Sequence, residues 1–230
     1  MISKDEMKKR VGEYAATLVP PDAFIGVGTG TTAYWLIVTL GRMVREGFRV
    51  RGAVPTSAAT AKLATEQGIT VTDLNDVDRL AVTIDGADEV DPAFSLIKGG
   101  GGAHLQEKIV AGASDRMIVI VDEEKLVPVL GKFPLPVEVI PFGWKQVERR
   151  LLGMGCPSVT LRSREGKTFV TDHGNYILDA SFGRIGAPGW LGEALHEIPG
   201  VVEHGLFVGF ATEVVVGYAD GRVGKISRKT

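Results

Sequence analysis

The sequence predicts an α/β fold: a doubly wound, mostly parallel sheet with a smaller α+β unit inserted in it. Three observations carry that reading. Short apolar runs alternate with helix-length segments through the first half of the chain, which is the spacing of βαβ units and a parallel sheet. One run, Val82 to Ile84, leads straight into Asp85-Gly86-Ala87-Asp88-Glu89, so a buried strand ends on carboxylates at its C-terminal edge. That edge is where open α/β sheets hold their ligands. Beyond about residue 130 the runs shorten and alternate, and the architecture changes.

Taken in order, residues 4 to 18 place Met7, Val11, Tyr14, Ala15 and Leu18 at helical spacing among charges, and Pro20-Pro21 closes that helix. Phe24 to Val27 reads as a short buried strand. It is followed by Gly28-Thr29-Gly30-Thr31-Thr32 and an apolar helix through Met43, a strand, glycine loop and helix of the kind that binds phosphate at the helix N-terminus. The cycle repeats with a strand at 49 to 54, the turn Pro55-Thr56-Ser57, a helix at 58 to 67 and a strand at 69 to 74. The strand into Asp85, a helix over AHLQEKIVA and a strand from Met117 to Val121 complete the series.

In the second half, PLPVEVIPF, the helix KQVERRLLGM, SVTLRS, the turn Arg164 to Lys167, TFVTD, YILDASF, the helix WLGEALHEI and VVEHGLF predict short antiparallel strands with two helices. This is a ferredoxin-like pattern. Residues 132 to 204 are expected to form the inserted unit, and residues 1 to 131 with 205 to 230 the main domain. The last stretch carries a hairpin signal at Asp220-Gly221 and is expected to return to the main sheet.

Composition excludes several functions. A net charge of −2 and 23% charged residues offer no general attraction to nucleic acid or anionic lipid, so an anionic ligand must be held by local groups. The single Cys156 excludes an internal disulfide and a cysteine-based zinc site. MISKDEMKKR is too polar for a signal peptide, and no apolar run approaches the roughly 20 residues of a membrane span. The expected location is the cytoplasm.

The glycine loop is not a dinucleotide fingerprint, because Thr31 stands where a third glycine belongs and no acid closes the next strand. It offers backbone N–H groups and three threonine hydroxyls, a set suited to one phosphate group or to a structural turn alone. Asp85, Asp88, Glu89 and Asp91 read either as a solvated loop or as ligands for a hard cation. Against a metal, Lys98 and Gly99 to Gly102 follow as if to meet an anion. Four consecutive glycines sacrifice chain entropy, which points to a need for close backbone approach or positive φ. Glu107 stands early in the next helix, and taken alone it reads as an exposed helix charge. His104 reads as a packing or solvent-facing residue, and Cys156 as an inert thiol. Lys125, just after the strand ending at Val121-Asp122, is a cation at a strand's C-terminal edge.

With GVGTGTT at 26 to 32, TSAAT at 56 to 60, TIDGADEVD at 83 to 91, KGGGGAHLQEKI at 98 to 109, DEEK at 122 to 125 and TDHGNYILD at 171 to 179, the chain resembles the A-type ribose-5-phosphate isomerases over its full length. The resemblance implies a Rossmann-like main domain, a smaller α+β lid, a homodimer or homotetramer, a sugar phosphate substrate and no metal cofactor. It places the catalytic base on Glu107 and sugar-hydroxyl contacts on Asp85, Asp88 and Lys98. Phosphate contacts fall on Thr29, Gly30, Thr31, Thr32 and Lys125, and Gly86, Ala87, Gly99, Gly100 and Gly101 belong to the expected binding set. The sequence departs from the family at Thr31, where serine is usual, at His104, where a small or apolar residue is common, and at His173, where asparagine is common. Similar folds also serve amino-sugar phosphate deaminases, coenzyme A transferases and sugar-phosphate sensors. A nucleophilic glutamate would mark the transferase, and binding without turnover the sensor.

Overall fold

The structure is a computed structural model and describes residues 2 to 228. Along the first half of the chain lie α1 (Lys4–Ala16), β1 (Phe24–Val27), α2 (Thr31–Arg45), β2 (Gly52–Pro55), α3 (Ala58–Glu66), β3 (Val82–Gly86), β4 (Glu89–Val90), β5 (Leu96–Ile97), α4 (His104–Gly112) and β6 (Met117–Asp122). The second half holds β7 (Leu135–Val139), α5 (Trp144–Gly153), β8 (Ser158–Leu161), β9 (Ser163–Arg164), β10 (Lys167–Thr168), β11 (Tyr176–Ser181), α6 (Pro188–His196), β12 (Val201–His204), β13 (Leu206–Phe207), β14 (Ala211–Gly217) and β15 (Val223–Ser227). The chain divides into two compact units. The first takes residues up to Ala87, Gln106–Lys125 and those from Gly209 onward; the second takes Asp88–Leu105 and Leu126–Val208.

The first unit is built on a six-stranded sheet in the order β15-β14-β6-β3-β1-β2, parallel throughout except for the antiparallel edge strand β15. From β1 the chain winds outward to β2 and returns to β3 on the other side of β1. The order therefore reverses between β1 and β3, and that point in a doubly wound sheet opens a crevice at the strands' carboxyl ends. Both strands are buried, and on one face Ile25, Val27, Val82, Ile84, Ile118 and Ile120 join Val11, Ala15, Leu36, Ile37 and Leu40 of α1 and α2 in one core. Gly12 brings α1 against α2, since a methyl there would lie 2.6 Å from the Leu36 nitrogen. The terminal hairpin forms as expected, with β14 parallel to β6 and β15 turned back on it.

The strand expected at 69 to 74 is reduced to one bridge, Ala53 to Val71. Asp73 instead accepts the Asn75 N–H at 2.8 Å and starts a 3-10 turn, Leu74–Asp76. A short acid that hydrogen-bonds its own backbone competes with the ladder.

In the second unit β7, α5, β8, β11, α6 and β12 follow one another, and the strands pair antiparallel in the order β12-β7-β11-β8. This is the ferredoxin-like arrangement predicted from the sequence. Leu135, Val137, Val139, Val147, Leu151, Leu178, Leu191 and Leu195 form its core. Glu165 and Gly166 take φ of 53° and 75° in the tight turn joining β9 to β10. The unit is larger than the 132 to 204 segment expected, because β4, β5 and β13 pair antiparallel in a small sheet of their own. Two-residue strands carry too little periodicity to be seen in the sequence.

Candidate active site

In the first unit, the site is assembled where β1 and β3 end. Asp85 is fully buried, and its Oδ1 accepts the N–H of Thr29 at 3.1 Å and of Gly86 at 2.7 Å. The carboxylate is thus clamped between two strand ends. Only glycine fits at 28, where a methyl would lie 2.0 Å from Asp85 Oδ1 and 2.6 Å from its Cα.

The Thr29 hydroxyl is turned toward the start of α3. It donates to Ser57 Oγ at 2.8 Å, Ser57 donates to Thr60 Oγ1 at 3.0 Å, and Thr60 donates to the Gly28 carbonyl at 3.1 Å. Thr56 Oγ1 lies 2.8 Å from Thr29 Oγ1 and, since the Thr29 proton is already engaged, supplies the proton of that bond. This hydroxyl chain ties the glycine loop to the N-cap of α3, where Ser57 also accepts the Thr60 N–H at 3.1 Å. Sequence reasoning did not single out Thr56, Ser57 and Thr60 as working residues, although Ser57 at a helix start is the signal that marks a cap. Gly30, with φ of 118°, caps α2, whose first residues Thr31 and Thr32 are exposed and half-buried. The early N–H groups of such a helix have no intrahelical acceptor and present positive potential.

Glu107, which taken alone reads as an exposed helix charge and which the resemblance makes the base, is only 5% exposed in the first turn of α4. Gln106 anchors that turn by donating to the Pro55 carbonyl at 2.9 Å. Lys125 follows β6 in a half-buried 3-10 turn and makes no ion pair among the described residues.

The second unit holds Asp88, Lys98 and the glycine run. Asp88 Oδ2 accepts the Gly100 N–H at 2.8 Å, and the Asp88 N–H donates to the Ile97 carbonyl at 2.8 Å. Gly99 and Gly102 take φ of 102° and 87°, and a methyl at 102 would strike Phe169 at 2.4 Å. The run's glycines therefore answer both needs, positive φ and close approach. Lys98 is 2% exposed, with its ammonium 5.5 Å from the Phe207 ring centroid. His104 is fully buried, its Nε2 3.9 Å from Glu138 Oε2; the Glu138 Oε1 accepts Thr171 and Asn175 donors at 2.9 Å.

Glu89 and Asp91 are occupied by backbone donors, Glu89 from a distant segment and Asp91 in a turn of its own. Glu89 accepts the N–H of Gly131 at 2.7 Å and of Phe133 at 2.6 Å, and Asp91 accepts those of Ala93 and Ser95 at 2.9 and 2.8 Å. Among the described residues, one grouping has metal-like spacing, His196, Glu203 and His204. His204 Nδ1 accepts the Leu206 N–H at 3.2 Å, so Nε2 carries the proton and donates to the Gly192 carbonyl at 3.1 Å. A ring committed at both nitrogens has no lone pair to offer a metal.

The sequence profile of ribose 5-phosphate isomerase A (phosphoriboisomerase A) matches residues 52 to 221. The chain belongs to the ribose 5-phosphate isomerase A family. A ribose-5-phosphate isomerase A of a Ruegeria species is 53% identical over 226 residues, covering 95% of this chain and 86% of the relative. The crystal structure of the ribose 5-phosphate isomerase A of Neisseria gonorrhoeae superposes with a TM-score of 0.91 at 41% identity, covering the whole of both chains. A D-ribose-5-phosphate isomerase in complex with phospho-erythronic acid superposes with a TM-score of 0.95 at 40% identity, over 99% of this chain and 100% of that one.

Proposed function

We propose that the protein interconverts D-ribose 5-phosphate and D-ribulose 5-phosphate through an enediolate, the aldose-ketose step of the non-oxidative pentose phosphate pathway. One observation carries this reading beyond family membership. Asp85, Lys98 and Glu107 are each at most 5% exposed within one short stretch of chain. Burying charge is expensive, so fixed charges held out of water are suited to chemistry.

Glu107 takes the proton from C2 of the aldose and returns it to C1 of the ketose, the single-base route that a carboxylate supports. As the proton leaves C2, negative charge develops on O1 of the substrate. Lys98 and the Gly101 N–H stabilise that charge as fixed donors, the Gly100 and Gly102 N–H groups being engaged by Asp88 and by the Gly99 carbonyl. Asp85 and Asp88 bind sugar hydroxyls, and one of them carries the proton between O1 and O2. Asp85 is pinned by two backbone N–H groups and Asp88 by one, so neither needs to reorganise during turnover.

The phosphate is held by the N–H groups of Thr31 and Thr32 at the start of α2 and by Lys125. Thr29 acts as a positioning residue, because its N–H and hydroxyl both serve protein partners. No cofactor is needed, since the proton is the only group transferred. The enzyme works as a homodimer or homotetramer, a reading supported by Phe142 and Trp190, which stand 90% and 67% exposed. No helix of the described residues is long and apolar enough to cross a membrane, and we assign the enzyme to the cytoplasm.

The test is the isomerisation of D-ribose 5-phosphate in D₂O followed by NMR, with Glu107→Gln alongside. The wild type is expected to form ribulose 5-phosphate with deuterium incorporation, while the variant binds the sugar phosphate and does neither. Binding without conversion by the wild type would overturn the isomerase reading, and normal turnover by Glu107→Gln would remove the base from that residue.

A further inference from the structure

The glycine run closes one turn of its own, Gly102 N–H to the Gly99 carbonyl at 3.0 Å, and is otherwise held from outside. The guanidinium of Arg162, on the residue just after β8, donates from Nη1 to the Gly99 carbonyl at 2.7 Å and to the Gly100 carbonyl at 3.3 Å. Its other edge forms a two-pronged pair with Asp179 on β11, through Nε to Oδ2 at 2.9 Å and through Nη2 to Oδ1. The Arg162 and Asp179 side chains are 12% and 23% exposed, so this is not a solvated surface pair. Phe169, whose N–H donates to the Arg162 carbonyl at 2.9 Å, puts its ring against Gly102. The carbonyl side of the loop is thus fastened to the sheet of the second unit by a residue more than sixty positions away.

A peptide group has two ends, and fixing the oxygen aims the N–H. The Gly99 carbonyl shares its peptide with the Gly100 N–H, which is held by Asp88. The Gly100 carbonyl shares its peptide with the Gly101 N–H. A cation on both oxygens fixes these two dipoles and makes the N–H ends stronger donors through polarisation. We infer that Arg162, locked by Asp179, is a positioning residue for the reaction: it presets the glycine loop so that the Gly100 N–H holds Asp88 and the Gly101 N–H meets the developing enediolate oxygen without reorganising. Arginine is required because its planar fork reaches two carbonyls and a carboxylate at once, whereas a lysine ammonium is a single point of charge. This inference rests on the reading that the glycine run stabilises the oxyanion.

The experiment compares Arg162→Lys, Arg162→Met and Asp179→Asn with the wild type. The readouts are kcat and KM for ribose 5-phosphate, the affinity for phospho-erythronic acid, whose carboxylate places charge near the reacting carbon, and the affinity for inorganic phosphate. The expected result is a fall in kcat of roughly 10- to 100-fold in Arg162→Met, less than the loss of a whole oxyanion donor, with KM nearly unchanged. Affinity for phospho-erythronic acid falls in parallel, and affinity for phosphate does not. Arg162→Lys recovers only part of kcat, and Asp179→Asn, which leaves the guanidinium in place but loosens it, shows a smaller fall of the same kind.

A purely structural role would lower the unfolding temperature without separating kcat from KM or one anion from the other, and that result overturns the inference. So does a kcat within about twofold of wild type in Arg162→Lys and Arg162→Met, a change of about 0.4 kcal/mol. If Arg162→Met does not fold, Arg162→Lys and Asp179→Asn decide by the same criteria. Lys98→Met keeps the two layers of the argument apart. A normal kcat there removes the oxyanion reading itself, whereas a crippled Lys98→Met beside an unaffected Arg162→Lys removes only the brace.

Discussion

Gly28→Ala is predicted to disable the enzyme by moving Asp85 while leaving the fold in place. The added methyl would lie 2.0 Å from Asp85 Oδ1, 2.2 Å from its Cγ and 2.6 Å from its Cα. Rotating the carboxylate away relieves the first two contacts but not the third, which is to backbone. Carbon atoms pack comfortably at about 3.5 to 4.0 Å, so the ends of β1 and β3 must separate by about 1 Å. That shift stretches the Gly28 N–H bond to the Ile84 carbonyl, now 3.0 Å, and the Thr29 N–H bond to Asp85. Overpacking of this kind costs about 1–3 kcal/mol, and a chain of this size loses roughly 2–4 °C of Tm for each kcal/mol. A displacement of about 1 Å in a positioning group is enough for a fall of about 10²-fold in turnover.

The assay pairs thermal unfolding with kcat/KM for ribose 5-phosphate, and Gly12→Ala serves as the control. A methyl at 12 meets the Leu36 nitrogen at 2.6 Å, a backbone clash as severe, but between α1 and α2. The control should lose comparable stability and keep its turnover. Equal activity in the two variants would refute the argument that Gly28 is there to admit the Asp85 carboxylate.

Other outcomes follow from the same geometry. Lys125→Ala should raise KM by roughly 10- to 100-fold with little change in kcat, matching the loss of about 1.5–3 kcal/mol of charge-assisted hydrogen bonding to the phosphate; steady-state kinetics separate the two parameters. Cys156 is buried and donates to the Ser158 carbonyl at 3.2 Å, and burial pushes its thiol above the ordinary range. It should therefore resist a disulfide reagent at neutral pH in the native protein and react once the chain is unfolded in denaturant, as followed by absorbance. Activity should survive EDTA; loss that added Mg²⁺ reverses would return the acids of the 85 to 91 loop to a metal-binding role.

The elements that were legible in the sequence are those whose signal is local. Phe24–Val27 is an apolar run bounded by Pro20-Pro21 and by Gly28, and the strand begins and ends where those signals place it. The ferredoxin-like order of the second unit was readable because each strand there has its own period and its own turn. What escaped was decided by distant partners. Val71 pairs only with Ala53, and the β4, β5 and β13 strands exist only because they find one another. Without the resemblance, Glu107 could not be told from a surface charge, because its burial depends on what folds around it rather than on its neighbours in sequence.

The site divides along the same line, and the division bears on how the enzyme is tuned. Acids, a cation and a glycine run lie on one stretch because chemistry at atomic spacing is most easily encoded by neighbouring residues. The groups that aim them need only reach, and they come from elsewhere: Thr29 stands 28 residues from Ser57, and Arg162 stands 63 from Gly99. A motif comparison sees the first set and, of the second, misses Arg162. Substitution at Arg162 would leave every motif residue in place and still change the rate, because the donors of an oxyanion site act through their orientation as much as through their identity.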